Sequence, residues 1–148
     1  MLINILRVIV KIVFAILYRV EVIGKENVPE SGPLILCANH NGEMDMFFIG
    51  YKINRLVRYM AKEELFRIPL LSGIIKWLGA FPVKRGKADV EAIKTSLRIL
   101  ENNEILGIFP EGTRMRNKDA KSVRIKPGVA LLAQKSGAPI IPVAVSGR

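Results

Sequence analysis

The only histidine of this 148-residue chain, His40, lies five positions before Asp45. A neutral imidazole can take the proton of a hydroxyl, and a carboxylate on its second nitrogen fixes the tautomer and stabilises the imidazolium that forms. A loop leading into a helix can fold a side chain five positions on back toward the first, so the spacing suits a general base and its orienting partner. Taken alone the signal is weak, because a His near an Asp is more often a surface or capping pair. Its surroundings change its weight. Phe109-Pro110-Glu111-Gly112-Thr113-Arg114 pairs a glycine that permits a tight turn with an arginine whose planar fork of donors suits a phosphate. Gly79-Ala80-Phe81-Pro82-Val83-Lys84-Arg85 supplies a second pair of cations, and Ala138-Pro139-Ile140-Ile141-Pro142-Val143 frames an apolar run with prolines.

These groups need a scaffold that brings them to one place, and the hydrophobic pattern describes one. The alternating stretch Arg19 to Ile23 and the short apolar runs at Leu34 to Ala38, Leu56 to Met60, Phe81 to Val83, Glu104 to Phe109 and Ile140 to Val145 read as strands. Between them, Glu43 to Tyr51, Glu63 to Leu78 (with a break at Pro69), Ala88 to Asn102 and Pro127 to Ser136 read as helices. The clearest is Ala88 to Asn102, where Val90, Ile93, Leu97 and Leu100 recur three or four apart. Strands alternating with helices predict an α/β domain with a mostly parallel central sheet flanked by helices. Ligands of such sheets bind beyond the carboxyl ends of the strands. Those ends carry Asn39-His40, Lys62, Lys84-Arg85 and Pro110 to Arg114. The chemistry and the scaffold agree.

Composition bounds the rest. The chain carries 23 Lys and Arg against 13 Asp and Glu, a formal charge of +10 that favours anionic partners. Half of its residues are hydrophobic and its mean hydropathy is +0.27, a balance that points to a lipid surface. The single Cys37 excludes an internal disulfide, and one histidine excludes a multi-His metal centre; no metal site is expected. A reducing, cytoplasmic environment fits this cysteine usage. Cys37 itself reads as a small core residue. Nucleic-acid binding would require cations interleaved with exposed aromatics, whereas Phe47, Phe48, Phe81 and Phe109 lie within apolar runs.

Met1 to Tyr18 is apolar apart from Asn4, Arg7, Lys11 and Tyr18, which fall within an arc of roughly 60° on a helix. Two cations interrupt the stretch of about 20 apolar residues that a spanning helix needs. The expectation is a helix lying in the membrane interface over residues 1–18, followed by a catalytic domain over residues 19–148; the alternative is a core helix. Because the sequence stops soon after an apolar run, the catalytic domain is expected to continue beyond Arg148.

Four blocks, in order, resemble the PlsC-type glycerolipid acyltransferases, typified by 1-acyl-sn-glycerol-3-phosphate acyltransferases. They are Asn39-His40 with Asp45, Gly79 to Arg85, Phe109 to Arg114 and Pro139 to Val143. One departure is Gly42, two positions after the histidine, where the family often has serine. The resemblance implies that His40 is the general base and Asp45 its orienting partner, in transfer of a fatty acyl group from a thioester to the 2-hydroxyl of 1-acyl-sn-glycerol 3-phosphate. It further implies that Lys62, Arg85 and Arg114 hold the acceptor's phosphate, with Glu111, Gly112 and Thr113 part of the same substrate-binding loop. Lys62 also admits a plainer reading, a solvated cation paired with Glu63 or Glu64.

The family uses no bound cofactor; acyl-CoA or acyl carrier protein is the donor substrate. Expected partners are lysophosphatidic acid, that donor and a membrane phospholipid surface, with no nucleic acid. The expected place is the cytoplasmic face of the cell membrane, as a peripheral or monotopic protein. The basic stretch Arg114, Arg116, Lys118, Lys121, Arg124 and Lys126 would face anionic lipid, coenzyme A phosphates or an acidic carrier protein, unless it is only a solvated loop. Another acceptor, such as glycerol 3-phosphate or a different lysolipid, and a non-catalytic lipid-binding relative are the competing readings.

Overall fold

A computed structural model describes residues 8–9, 12–13, 15–42, 44–50, 53–84, 89–112 and 126–146. Its five strands are β1 (Leu34–Ala38), β2 (Val57–Lys62), β3 (Phe81–Val83), β4 (Ile105–Ile108) and β5 (Ile140–Val143). They form one sheet in the order β3-β2-β4-β1-β5, and every pairing is parallel. The strands with the most continuous apolar sequence, β1 and β4, lie side by side in the interior, where both faces of a strand are covered. Both edge strands carry a proline, Pro82 in β3 and Pro142 in β5. An edge tolerates the missing N–H that a central ladder would not.

The helices are α1 (Asp45–Gly50), α2 (Pro69–Trp77), α3 (Val90–Glu101) and α4 (Gly128–Ser136). Each boundary has a local cause. Pro69 opens α2, where its fixed φ fits and its missing N–H has no helical partner anyway. The predicted break at Pro69 is thus the junction between a short 3₁₀ turn, Glu63–Arg67, and α2. Asp89 caps α3 by accepting from Ala92 N at 3.1 Å. Gly137, at φ 68°, ends α4 in the left-handed conformation.

Alternation along β1 divides the core. Ile35 faces α3 and α4, packing with Leu100, Leu106 and Leu132, while Leu34, Leu36 and Ala38 face Ile49 of α1, Val57 and Tyr59. Tyr59 lies opposite Gly107 in the β2–β4 register, and any Cβ at 107 would stand 2.2 Å from its ring. The glycine therefore lets the ring rest on β4, where it stacks with Phe109 at 5.9 Å. Its hydroxyl is buried without a partner among the described residues, and burial pushes its pKa well above the ordinary phenol value. At the amino edge of the sheet, Arg55 donates to the carbonyls of Pro29, Gly32 and Asn103, tying together the turns that enter β1 and β4.

Two expectations change. Arg19 to Ile23 is not a strand: residues 18–23 have no regular structure, and Ile23 is 88% exposed. Alternation alone makes a strand only where a sheet edge receives it, and the edges here are β3 and β5. The last strand stops at Val143 rather than Val145, because the backbone of Val145 is bonded instead by a side chain described below. Most of the predicted interfacial helix lies outside the described residues. Those of its positions that are described, 8–9, 12–13 and 15–17, are helical and exposed, and Tyr18 meets Phe48 of α1 edge to face at 5.2 Å. Among the described residues, no helix is long and apolar enough to cross a membrane.

Candidate active site

β1 delivers its chain to the carboxyl edge of the sheet, and His40 follows two residues after its end. The chain turns at once into α1, whose first residue is Asp45. Asp45 Oδ2 accepts from His40 Nδ1 at 3.0 Å and from the backbone N–H groups of Asn41 and Gly42 at 2.6 and 2.8 Å. His40 is 9% and Asp45 3% exposed, so this carboxylate is buried with three donors to compensate the lost water. An ionised carboxylate only accepts, which requires the N–H on Nδ1 and leaves Nε2 as the lone-pair nitrogen. No protein group among the described residues is bonded to Nε2. An imidazole so held can take a proton from a bound hydroxyl.

Gly42 does not weaken this arrangement. Its contribution is a backbone N–H, and a Cβ there would meet Asp45 Oδ1 at 3.6 Å, an ordinary contact. A serine side chain would fit the same turn.

The neighbouring strand β4 supplies the second wall. Phe109 stacks on His40 at 4.3 Å between ring centres, and Glu111 Oε2 accepts from His40 N at 3.0 Å. Glu111 thus holds the histidine's own backbone across 71 residues of sequence. Gly112 turns the loop at φ 67° and is overlain by Lys126, whose Nζ would stand 2.9 Å from a Cβ at this position. Lys126 N donates to Pro110 O at 3.0 Å, which fixes the root of that side chain beside the loop.

A third tie comes from β5. Asn39 donates to Val145 O at 2.9 Å and accepts from Val145 N at 2.7 Å, and Asn41 donates to the same carbonyl at 2.9 Å. Two asparagines that flank the histidine therefore clamp its loop to the segment beyond β5. Sequence reasoning missed both roles, and also Lys126 as an individual residue. The signal for the clamp was slight: two amides bracketing His40.

The remaining expected site residues divide. Lys62 ends β2 at the same sheet edge, exposed and without a carboxylate partner among the described residues; Glu63 lies 4.0 Å from Arg67 instead. Arg85, Thr113 and Arg114 lie outside the described residues, as does the basic stretch before Lys126. Asp89 accepts from Lys84 N at 2.7 Å while capping α3. The backbone bond from Lys84, with that from Ala92, lowers the pKa of Asp89, so these bonds weaken as acid protonates the carboxylate.

Cys37 is not an activated thiol. Burial first, and the Glu111 carboxylate second, raise its thiol pKa above the usual range. The protonated thiol is the unreactive form.

A family model described as Acyltransferase matches residues 19–146. The 1-acyl-sn-glycerol-3-phosphate acyltransferase of Bacillus subtilis (strain 168) is 35% identical over 138 residues, covering 93% of this chain and 67% of that protein. The 1-acyl-sn-glycerol-3-phosphate acyltransferase of Saccharomyces cerevisiae is also 35% identical, over 131 residues, covering 86% of this chain and 43% of that protein. The crystal structure of the 1-acyl-sn-glycerophosphate acyltransferase PlsC from Thermotoga maritima superposes with a TM-score of 0.66 at 30% identity, covering 84% of this chain and 48% of that one. The chain therefore spans two thirds of the Bacillus relative's length and less than half of the other two.

Proposed function

Because this chain belongs to the acyltransferase family, we propose that it moves a fatty acyl group from an acyl thioester to the 2-hydroxyl of 1-acyl-sn-glycerol 3-phosphate. The donor is acyl-CoA or acyl carrier protein, and the product is phosphatidic acid for phospholipid biosynthesis. The observation that carries this reading is the buried His40–Asp45 pair with Nε2 left for a substrate. Nε2 takes the hydroxyl proton as the oxygen attacks the thioester carbonyl. The tetrahedral species collapses by breaking the C–S bond, and the imidazolium returns its proton to the departing thiolate. Asp45 stabilises the charged ring between the two transfers. No covalent acyl-enzyme is formed. A thioester-release assay with a panel of acceptors tests the reading: lysophosphatidate should be preferred over glycerol 3-phosphate and over lysolipids without a phosphate monoester. Release without acyl transfer to any of them would overturn it.

Lys62 at the carboxyl edge supports a phosphate subsite that Arg85 and Arg114 would complete, with Glu111, Gly112 and Thr113 as further substrate-binding residues. Lys126, overlying Gly112, belongs with them. Holding the phosphate fixes the distant hydroxyl against His40. Arg114→Ala and Lys126→Ala should each raise the acceptor KM by roughly ten- to a hundredfold, the effect of losing one charge-assisted hydrogen bond, and leave the donor KM unchanged. Equal losses on acceptors with and without the phosphate would assign these residues to the fold or the donor.

Residues 1–18 would hold the domain of residues 19–148 at the cytoplasmic face of the membrane, as an in-plane helix with Arg7 and Lys11 toward headgroups. Two-sided labelling of Met1 in sealed vesicles tests this. Met1 should be reached from the side that carries the catalytic domain; access only from the opposite side would make the segment a span.

A further inference from the structure

Helix α2 is inverted for a helix facing water. Its single buried residue is Ser72, at 8% exposure, whereas Leu70 is 80% and Ile74 47% exposed. Leu70, Ile74 and Trp77 share one helical face, at i, i+4 and i+7. A helix resting on a soluble domain carries polar residues on its outward face. This one carries Leu70 and Ile74 there, and the exposed surface continues through Ile68, at 51%, to Leu65 in the preceding turn.

The position of this surface follows from the topology. β2 ends at Lys62 on the carboxyl edge, so Glu63–Arg67 and the first turn of α2 lie at the same edge as His40 and Glu111. Two exposed cations accompany it, Lys76 on α2 and Arg67, whose side chain is 73% exposed and stands 4.0 Å from Glu63; the acidic Glu63 and Glu64 lie together at the start of the segment, before its exposed apolar residues. Exposed aliphatic residues beside cations, with a tryptophan on the same helix, form the composition that meets an anionic lipid surface.

We propose that the crossover Glu63–Trp77 is a bilayer-contacting surface distinct from the N-terminal segment. Leu65, Ile68, Leu70 and Ile74 enter the acyl region, while Arg67 and Lys76 meet anionic headgroups. The site's mouth then faces the layer in which an acyl-bearing acceptor resides. The proposal rests on the lysolipid reading above for its purpose, but its physical content is lipid contact alone.

Trp77 is the only tryptophan of the chain, so it reports on this surface without labelling. With the full chain and vesicles of phosphatidylglycerol and phosphatidylcholine, its emission should shift to the blue and be quenched by brominated acyl chains. Ile68→Glu with Leu70→Glu should abolish the quenching and weaken partition into the vesicles by roughly tenfold or more, given the apolar area each residue would bury. Arg67→Ala with Lys76→Ala should weaken binding to anionic vesicles and leave binding to pure phosphatidylcholine unchanged. Acylation of a vesicle-embedded acceptor should fall in the Glu variant, with acylation of a monomeric short-chain acceptor retained. Unquenched Trp77 emission in the unaltered protein would overturn the proposal. So would self-association without lipid that the Glu variant abolishes, since the surface would then cover a second copy, or capture of a protein partner in place of vesicles. Fluorescence and partition need no turnover, so their outcome stands whether or not the acyltransfer reading does.

Discussion

Replacing His40 with alanine is expected to lower kcat for acyl transfer by roughly three orders of magnitude or more, the upper range for a positioned general base. The expectation rests on Nε2, the one ring nitrogen that Asp45 leaves available in the buried pair. The same structure warns against reading alanine alone. His40 is stacked on Phe109, so truncation also removes a ring contact from the wall of the site. His40→Gln is the sharper variant: it keeps a polar side chain of similar reach but has no titratable ring. Both variants should lose the activity together, with thermal unfolding still cooperative. Near-normal turnover in a folded His40→Gln protein would remove the histidine from the mechanism.

Asp45→Asn should be almost as damaging and should act through kcat. The carboxylate now collects three N–H donors on one oxygen, from His40, Asn41 and Gly42. An amide oxygen in the place of Oδ2 can keep all three bonds, so the turn survives and Nδ1 keeps its proton. What is lost is the negative charge, and with it the stabilisation of the imidazolium that forms when Nε2 takes the substrate proton. In a Ser-His-Asp triad the corresponding change lowers kcat by about 10⁴-fold, which sets the upper bound here. Asp45→Ala, by contrast, would also strand the N–H groups of Asn41 and Gly42, and should lose stability by about 1 kcal/mol or more. The comparison that decides is kcat against melting temperature. If Asp45→Asn retains most of the turnover, or if its loss simply follows a lowered melting temperature, stabilising the charged ring is not what Asp45 supplies.

The His40–Asp45 pair is local in sequence, and for that reason it was legible. Five residues of loop and helix start bring Asp45 back to His40, and no other part of the chain is needed to state the contact. Apolar periodicity likewise placed β1, β3, α3 and α4 within a residue or two of their observed limits, because burial on one face or both writes itself into the residue pattern. Where that pattern was weak, as at Arg19 to Ile23, alternation alone could not say whether a neighbour was there to receive a strand.

Other features were decided only when the strands took their places. The order β3-β2-β4-β1-β5 sets β4 against β1, which brings Glu111 to the backbone of His40 and Phe109 to its ring. β5 lies on the other side of β1, and from there Val145 is reached by Asn39 and Asn41 across more than a hundred residues. The same assembly leaves Leu70 and Ile74 outside and Ser72 inside on α2, the reverse of what the residue pattern of that helix suggests for a water-facing element. Local preferences fix what an element is, since φ/ψ, capping and one-sided burial act within a few residues. Which elements become neighbours is settled by burying both faces of the sheet at once, a sum over distant residues that no short stretch of sequence contains.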